Sequence, residues 1–330
     1  MTELNAQRET AEPLEQPPLS TRTKIAAAVL MVAALMDLLD ATIVNVALPS
    51  IQRGLDAGPT SVEWVVSGYM LAFAATLIAA GRLGDLVGRR RVFLVGVVGF
   101  GSASLVCGIA QTSGQLVLAR IVQGAAAALL MPQVLASYRN MFTGRQRTNA
   151  YAVYGAVAGL AAALGVILGG ALTQADLFGL GWRVVFLVNV PVALAVVVIA
   201  VLFVPESRAG TRDRLDLLGA AVLAAGLVAV VYPLLEGQRL GWPSWCFALL
   251  GTGLALLVSL WVVEDRRRRS GIAPVLEPDL FRVPAFSAGI AVQALFGVGL
   301  QGFSLVLALW LQEGHGFAPL HAGVTMIAFS

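Results

Sequence analysis

The chain has 330 residues, of which 58% are hydrophobic and only 12% are charged, and its mean hydropathy is +0.82. One soluble core could not bury this much apolar surface, and so few charges could not cover it, so the composition excludes an ordinary soluble domain and favours a membrane protein. The net charge of +3 gives no reason to expect a nucleic acid partner.

Apolar runs of about 20 residues, the length that a helix needs to cross a bilayer, recur along the chain. The first 24 residues are polar and contain prolines, which predicts a disordered cytoplasmic tail. Nine membrane helices are predicted after it, near residues 25–47, 62–80, 92–110, 116–138, 150–172, 184–204, 215–235, 245–263 and 285–311. A tenth begins near Pro319 and reaches Ser330 before it is long enough to cross.

Basic residues are distributed unevenly between the two sets of connections that these helices define. If the N-terminus is cytoplasmic, 18 Lys and Arg residues lie on the cytoplasmic side, 3 lie outside, and Arg120 lies within a helix. Short cytoplasmic loops carry such an excess, so we expect a multi-pass protein of the cell membrane with a cytoplasmic N-terminus. The 18 residues are Arg8, Arg22, Lys24, Arg82, Arg89, Arg90, Arg91, Arg139, Arg145, Arg147, Arg208, Arg212, Arg214, Arg266, Arg267, Arg268, Arg269 and Arg282.

Two acidic residues, Asp37 and Asp40, interrupt the first apolar run. They are three residues apart and share one face of the predicted helix. A carboxylate in hydrocarbon costs about 2.5 to 3.5 kcal/mol on insertion scales, so both acids should face a polar cavity or a partner. They are therefore candidates for proton uptake and release, and the alternative is that one of them only anchors a hydrogen bond between helices.

A third charge, Arg120, lies near the start of the fourth helix and is followed by Gln123 and Gly124. Arginine does not lose its charge in a protein, so within the membrane it needs an acid or carbonyl groups as partners. Because Arg120 is close to the helix start, it could also extend to the outer interface. Both interpretations remain open at this level.

The remaining chemistry-bearing residues predict no catalytic or metal site. Cys107 and Cys246 fall in or beside apolar helices and are expected to be packing residues. His315 and His321 are six residues apart with no third ligand nearby, which does not favour a metal site. We therefore predict a protein that is not an enzyme and that uses no cofactor.

Helix 5 contains small residues at spacings that favour close helix packing in membranes. The glycines also predict a helix that can bend. They are Gly155, Gly159, Gly165, Gly169 and Gly170.

The segment from Gly81 to Arg91 places five charges and three glycines between two long apolar runs, and we expect it to form a turn. It resembles the signature between helices 2 and 3 of the major facilitator superfamily. The matching positions are Gly81, Asp85, Gly88, Arg89 and Arg90.

Four further segments are similar to signatures of the fourteen-helix drug:proton antiporter branch of that superfamily. Leu39–Pro49 is similar to its helix 1 signature, with Asp40 as the acid, and Leu116–Gly124 to its helix 4 signature. Gly181–Pro191 and Leu215–Gly219 resemble the starts of its helices 6 and 7. The joint occurrence of five ordered segments identifies the chain as a member of this branch.

The resemblance implies an all-α polytopic membrane fold and a division of the chain into segments. The N-terminal six-helix bundle would span residues 25–204, after the tail of residues 1–24. A cytoplasmic linker (205–214), two additional membrane helices (215–263) and a basic cytoplasmic loop (264–284) would follow. Residues 285–330 would supply the first helix and part of the second helix of an incomplete C-terminal bundle.

The resemblance also implies a function, which is export of hydrophobic, often cationic drugs or antibiotics in exchange for protons. Asp40 is the leading candidate for the exchange, Asp37 is second, and Arg120 with Gln123 would tune protonation. The partners would be protons, a lipophilic substrate and the lipid bilayer, with the proton gradient as the energy source.

For the signature between helices 2 and 3, the resemblance implies a cytoplasmic charge clamp. Asp85 would pair with Arg89 and Arg90 and favour the outward-open state. The alternative is that these arginines act only through the orientation of the chain in the membrane.

Two departures from the family pattern limit these expectations. Val166 follows Gly165 where the antiporter signature has a proline, so the bend that the proline would force is not predicted. The second bundle is mostly absent, which predicts a fragment of a longer protein, a chain that assembles with a complementary half, or an inactive or structural membrane protein. A sugar-like importer is a further alternative, since Pro205-Glu206-Ser207 resembles the sugar-porter ending of helix 6, but the helix 1 and helix 7 signatures argue against it.

Overall fold

A computed structural model describes residues 19–208, 217–269, 278–317 and residue 325, and over these ranges the secondary structure is helical with no strand. Most of the predicted tail, the end of the predicted linker and part of the predicted basic loop lie outside the described residues. So does the predicted tenth helix apart from Thr325. The all-α polytopic fold expected from the sequence is confirmed.

Five long helices open the chain, and the sixth segment is divided into shorter pieces. The helices are α1 (Thr21–Gly54), α2 (Pro59–Val87), α3 (Arg89–Gly108), α4 (Ser113–Met141) and α5 (Gly144–Gln174). After a 3-10 turn at Leu177–Gly179, the sixth segment consists of a second 3-10 turn (Gly181–Arg183), α6 (Val184–Leu187) and α7 (Asn189–Phe203). Then follow α8 (Leu217–Leu240), α9 (Ser244–Arg269), α10 (Pro278–Arg282), α11 (Pro284–Leu309) and a π-helical turn (Trp310–Gly314).

Among the described residues, eight helical segments are long and apolar enough to cross a bilayer, and they coincide with the first eight predicted membrane helices. The predicted ninth, 285–311, is helical as α11 over Pro284–Leu309. Several observed helices are longer than predicted; α1 has 34 residues, about 51 Å. Apolar runs mark only the part of a helix that suits hydrocarbon, whereas backbone hydrogen bonding continues beyond it.

The connection between α2 and α3 is a single residue, Gly88, so the turn expected over residues 81–91 is wrong in its extent. The charges of this segment lie on the last turns of α2 and the first turn of α3. Gly88 has φ +120° and ψ 131°, a conformation that side-chain-bearing residues rarely adopt. Glycine at this position lets two membrane helices reverse direction within one residue.

The first seven helices pack into one bundle in which α4 lies against both α2 and α3, and α1 lies against α5 and α7. Large apolar residues such as Leu118 and Leu194, each 66% exposed, cover its outside. An apolar exterior of this kind suits lipid and would be costly in water.

One end of this bundle carries the arginines of the α2–α3 turn, and we call it the basic end. The start of α1 and the ends of α4 and α7 lie there as well. Arg22 donates to the carbonyl of Leu202 at 3.2 Å, and the hydroxyl of Tyr138 donates to the carbonyl of Ala27 at 2.8 Å.

The two additional helices, α8 and α9, pack against each other, and α8 packs on α2. Near the end opposite the basic end, Trp64 Nε1 of α2 donates to Glu236 Oε1 of α8 at 2.6 Å. Glu236 is 4% exposed, and its other oxygen lies 2.8 Å from Arg239 Nε. The ring of Tyr232 lies 5.6 Å from that of Trp64. Hydrogen bonding and ring packing therefore join the additional helices to α2.

The glycines of α5 divide into those that contact α1 and those that do not. A Cβ at position 165 would collide with the side chain of Thr42, and one at position 169 would lie 3.0 Å from the carbonyl oxygen of Ile43. Around Gly155 and Gly170 no described atom lies within 4 Å of such a Cβ. Gly159 lies on α5 between Gly155 and Gly165. Helix α5 contains no proline and continues without interruption to Gln174.

Substitution of these glycines should therefore have opposite effects at two sites on the same helix. We expect Gly165→Ala to lower the free energy of unfolding by about 1 to 3 kcal/mol, because Thr42 and α1 must shift to admit the methyl group. The matched control, Gly170→Ala, should be neutral or stabilising by up to about 1 kcal/mol through helix propensity. Thermal unfolding of the purified protein in detergent measures both. Equal losses for the two variants would show that α1 and α5 are not in close contact at Gly165.

Candidate functional site

The middle of the bundle contains a buried ion pair between Asp40 of α1 and Arg120 of α4. Arg120 Nη1 lies 2.5 Å from Asp40 Oδ2, and each residue is 1% exposed. Arg120 Nε also donates to the carbonyl of Val65 on α2 at 3.0 Å. Asp40 lies about 29 Å along α1 from Thr21 and about 21 Å from Gly54. Arg120 therefore has a buried acidic partner, and the alternative in which it extends to the interface is wrong.

Neutral polar side chains complete the hydrogen bonding of this ion pair. Gln123 Nε2 and Asn189 Nδ2 donate to Asp40 Oδ1 at 3.1 and 2.7 Å. Gln123 Oε1 accepts from Arg120 Nη1 at 2.8 Å, and Gln123 Nε2 also contacts Ser104 Oγ at 2.8 Å. A buried ion pair offsets its desolvation only when such further hydrogen bonds satisfy its remaining donors and acceptors. Asp40 and Arg120 meet this condition.

The second acid of α1, Asp37, is 5% exposed and belongs to the same assembly. It accepts a hydrogen bond from the hydroxyl of Tyr69 on α2. The guanidinium carbon of Arg120 lies 4.1 Å from the centre of the Tyr69 ring, within range of a cation–π interaction. Tyr69 thus contacts Asp37 with its hydroxyl and Arg120 with its ring.

Helical spacing and one close backbone contact bring these groups together. Asp37 and Asp40 are three residues apart on α1, as are Arg120 and Gln123 on α4, so each pair shares a helix face. At Gly124 the backbone carbonyl of Tyr69 occupies the space that a Cβ would need, so α2 can approach α4 only because residue 124 is glycine. We call the assembly the central charge cluster; its members are Asp37, Asp40, Tyr69, Ser104, Arg120, Gln123 and Asn189, from α1, α2, α3, α4 and α7.

The sequence placed Asp37, Asp40, Arg120 and Gln123 among the candidates, and the structure brings all four together. It also adds Tyr69, Ser104 and Asn189, which were not predicted to take part. Asn189 occurs in the segment that resembles the start of helix 6, and a polar residue just inside an apolar run is a usable signal. Tyr69 and Ser104 give no comparable signal, because neither residue type is unusual in a membrane helix.

A second set of charges lies at the basic end, around Gly88. Arg89 Nη2 lies 2.8 Å from Asp85 Oδ1, which places the predicted partners on the two sides of the turn. The carboxylate of Glu206, which follows α7, lies within 3.0 Å of where a Cβ at Gly88 would be. Glu206 Oε1 accepts from the backbone N–H of Arg90 at 3.2 Å and from that of Ser207 at 3.0 Å.

The structure assigns Arg90 a different partner from the one expected. Its guanidinium donates to the carbonyl of Val201 on α7 at 2.5 Å rather than to Asp85. The backbone N–H of Arg89 donates to the carbonyl of Ser207 at 3.0 Å, and Arg91 Nε lies 3.8 Å from Glu206 Oε2. Glu206, which is 116 residues away from Arg90 in the sequence, therefore accepts a hydrogen bond from the first turn of α3. Gly81 lies nearby on α2, facing α4.

Neither histidine nor cysteine forms a site in the described parts of the chain. No group of three or more His, Cys, Asp or Glu residues among them could hold a metal ion. Cys107 and Cys246 are free and buried. The ring of His315 lies 4.2 Å from that of Trp310, and His321 lies outside the described residues.

A bundle of membrane-length helices with ionisable side chains in its middle defines a polytopic membrane protein with a polar site in its interior. The family model for the Major Facilitator Superfamily matches residues 30–217. The chain belongs to this superfamily, and it is a multi-pass protein of a cell membrane.

Curated relatives from Streptomyces species extend the likeness beyond these residues. The chain is 43% identical to a probable actinorhodin transporter of Streptomyces coelicolor, over 95% of this chain and 54% of the relative. It is 40% identical to a puromycin resistance protein of Streptomyces alboniger, over 91% of this chain and 58% of the relative. A tetracenomycin C resistance and export protein of Streptomyces glaucescens is 33% identical, over 94% and 56%. The chain spans a little over half the length of these relatives.

Among solved structures, the chain resembles a mutant of the peptide transporter POT crystallised with sulfate. The TM-score is 0.59 and the identity 17%, over 92% of this chain and 65% of that one. At this identity the likeness concerns the fold alone.

The contact of Glu206 with the first turn of α3 leads to a prediction about stability. We expect Glu206→Ala to lower the free energy of unfolding by roughly 1 kcal/mol, because the N–H of Arg90 loses an acceptor at a helix N-terminus. Glu206→Gln keeps a side-chain oxygen at the same place and should cost less. Thermal unfolding in detergent compares the two variants. If glutamine is as damaging as alanine, the charge of Glu206 rather than its hydrogen bonds stabilises the turn.

Proposed function

We propose that the full-length protein exports a lipophilic small molecule, of the kind used as an antibiotic, in exchange for protons. Three relatives whose names refer to antibiotic transport, resistance or export support the substrate class. Family membership supports the general mode of action, which is transport.

The single observation that carries the proton coupling is the central charge cluster. It places two acids, Asp37 and Asp40, and one base, Arg120, almost out of contact with solvent in the middle of a membrane-spanning bundle. A buried carboxylate can be neutralised by a proton or attract a cation, so loading one favours release of the other. Carboxylates in this position are costly, and their role in a relay for protons gives a reason for that cost.

Alternating access is proposed for the movement that accompanies this exchange. In transporters built from two bundles, the substrate site lies near the bilayer midplane and one bundle rocks against the other. We place the basic end in the cytoplasm, since basic loops favour that side. Asp85, Arg89 and Glu206 then lie at the cytoplasmic end of the N-terminal bundle, where they favour the outward-open state.

Vesicles that contain the full-length protein and carry an imposed pH gradient test this function. The protein should extrude lipophilic dyes when the gradient is applied. Asp40→Asn should lower the rate by about tenfold or more, because Arg120 is left as a buried charge without its partner. The matched control is Asp56→Asn, the same change at an exposed residue between α1 and α2, and it should leave the rate unchanged.

Other outcomes of this experiment would contradict the proposal. Uptake of a sugar without dye extrusion would favour an importer of small metabolites. Dye extrusion that persists without a pH gradient would contradict the proposed proton coupling. If neither dye extrusion nor sugar uptake is observed, the proposed function as a whole is contradicted.

A further inference from the structure

We propose that Asp37 is the acid that takes up and releases the proton, and that Asp40 stays ionised as the fixed counter-charge of Arg120. This inference rests on the proposed function for its biological meaning, and it reverses the order of the two acids expected from the sequence. It also defines the substrate more narrowly, as a lipophilic cation that replaces the proton at Asp37.

Asp40 has the environment of a permanent anion. Both of its oxygens are occupied, Oδ2 by Arg120 at 2.5 Å and Oδ1 by Gln123 and Asn189 at 3.1 and 2.7 Å. All of these contacts use N–H donors, and N–H donors stabilise the charged form of a carboxylate. Protonation of Asp40 would also leave Arg120 as a buried, uncompensated charge.

Asp37 has the environment of a group that alternates between charged and neutral forms. Among the described residues, its carboxyl accepts one hydrogen bond, from the neutral hydroxyl of Tyr69, and forms no ion pair. The ring of Tyr69 takes the contact with Arg120, whose guanidinium is 4.1 Å from its centre. One neutral donor is little compensation for a buried anion, so an ionised Asp37 lacks the partners that Asp40 has.

The groups that face Asp37 on neighbouring helices lead to the same assignment. They are Asp40 on its own helix, Tyr69 on α2, and Arg120 on α4, which contacts the Tyr69 ring. The helix α5, which packs against α1, contributes Tyr154. The cation in this set is already paired with Asp40, and both tyrosines are neutral. With both acids ionised the set carries one negative charge in excess, and a single proton on Asp37 makes it neutral.

The exchange follows from this charge balance. When Asp37 loses its proton to water, one negative charge remains in the middle of the bundle without a partner. A lipophilic cation restores neutrality there, and a returning proton displaces it. Substrate and proton therefore compete for one carboxylate, while the pair of Asp40 and Arg120 remains intact through the cycle.

Infrared spectroscopy of the full-length protein in lipid vesicles tests the assignment without any transport. The difference between spectra at acidic and alkaline pH should contain a carbonyl band of a buried carboxylic acid. We expect Asp37→Asn to abolish this band, and Asp40→Asn and the exposed control Asp56→Asn to retain it. Loss of the band in Asp40→Asn with retention in Asp37→Asn would overturn the proposal, and so would the absence of any such band.

Because Asp40→Asn could prevent folding, a second pair of variants keeps both acids and removes one donor from each. Tyr69→Phe removes the donor to Asp37 and should shift the pH at which the band is half developed. Asn189→Ala removes one donor to Asp40 and should leave that pH unchanged. The reverse pattern would assign the proton to Asp40.

The outcomes for this inference and for the proposed function are separate. A carbonyl band that depends on Asp37, in a protein that extrudes no dye, supports the inference and contradicts the proposed function. Dye extrusion driven by protons, with the band assigned to Asp40, supports the function and overturns the inference.

Discussion

The buried ion pair between Asp40 and Arg120 is the interaction on which the rest of the bundle depends. It joins α1 to α4 in the interior, and its further hydrogen bonds extend to α2 and α7. Charges in this position are costly in hydrocarbon, so the surrounding helices must approach closely enough to satisfy them. Helices α2 and α4 approach closely at Gly124, and this contact brings the ring of Tyr69 onto the guanidinium of Arg120.

The central charge cluster and the charges at the basic end lie at different depths of the bundle, and they differ in exposure. In the central charge cluster the acids and Arg120 are at most 5% exposed, so electrostatic interactions there are strong. At the basic end the side chain of Asp85 is 40% exposed, and its ion pair with Arg89 contributes little by charge alone. What stabilises that end is the hydrogen bonding of Glu206 to the first turn of α3, together with the glycine that allows the turn.

The sequence predicted the positions of the membrane helices and the residues of greatest chemical consequence. Asp37, Asp40 and Arg120 were detectable because charges stand out in apolar runs. Which acid pairs with Arg120 could not be predicted, because both lie on one helix face and only the packing of α2 and α7 separates them. The roles of Tyr69 and Asn189 were not predicted for the same reason, since they depend on neighbours that are distant in sequence.

Local sequence patterns also gave a wrong prediction for the length of the connection between α2 and α3. A cluster of charges and glycines usually indicates a loop, yet here one glycine makes the turn and the charges extend the helices. Glu206 was considered only for its resemblance to a sugar-porter motif, and its contact with Arg90 depends on how α7 ends beside α3. Tertiary contacts of this kind are set by the whole bundle and leave no periodic signal in the sequence.

A double-mutant cycle on Asp40 and Arg120 tests most directly whether this ion pair organises the bundle. Asp40→Leu and Arg120→Met, alone and combined, would be compared by reversible unfolding in mixed micelles. Each single variant should lose about 3 to 5 kcal/mol, because it leaves one buried charge unpaired, and the double variant should lose much less than the sum. Losses that simply add would contradict the account, since they would show that the two residues stabilise the protein independently.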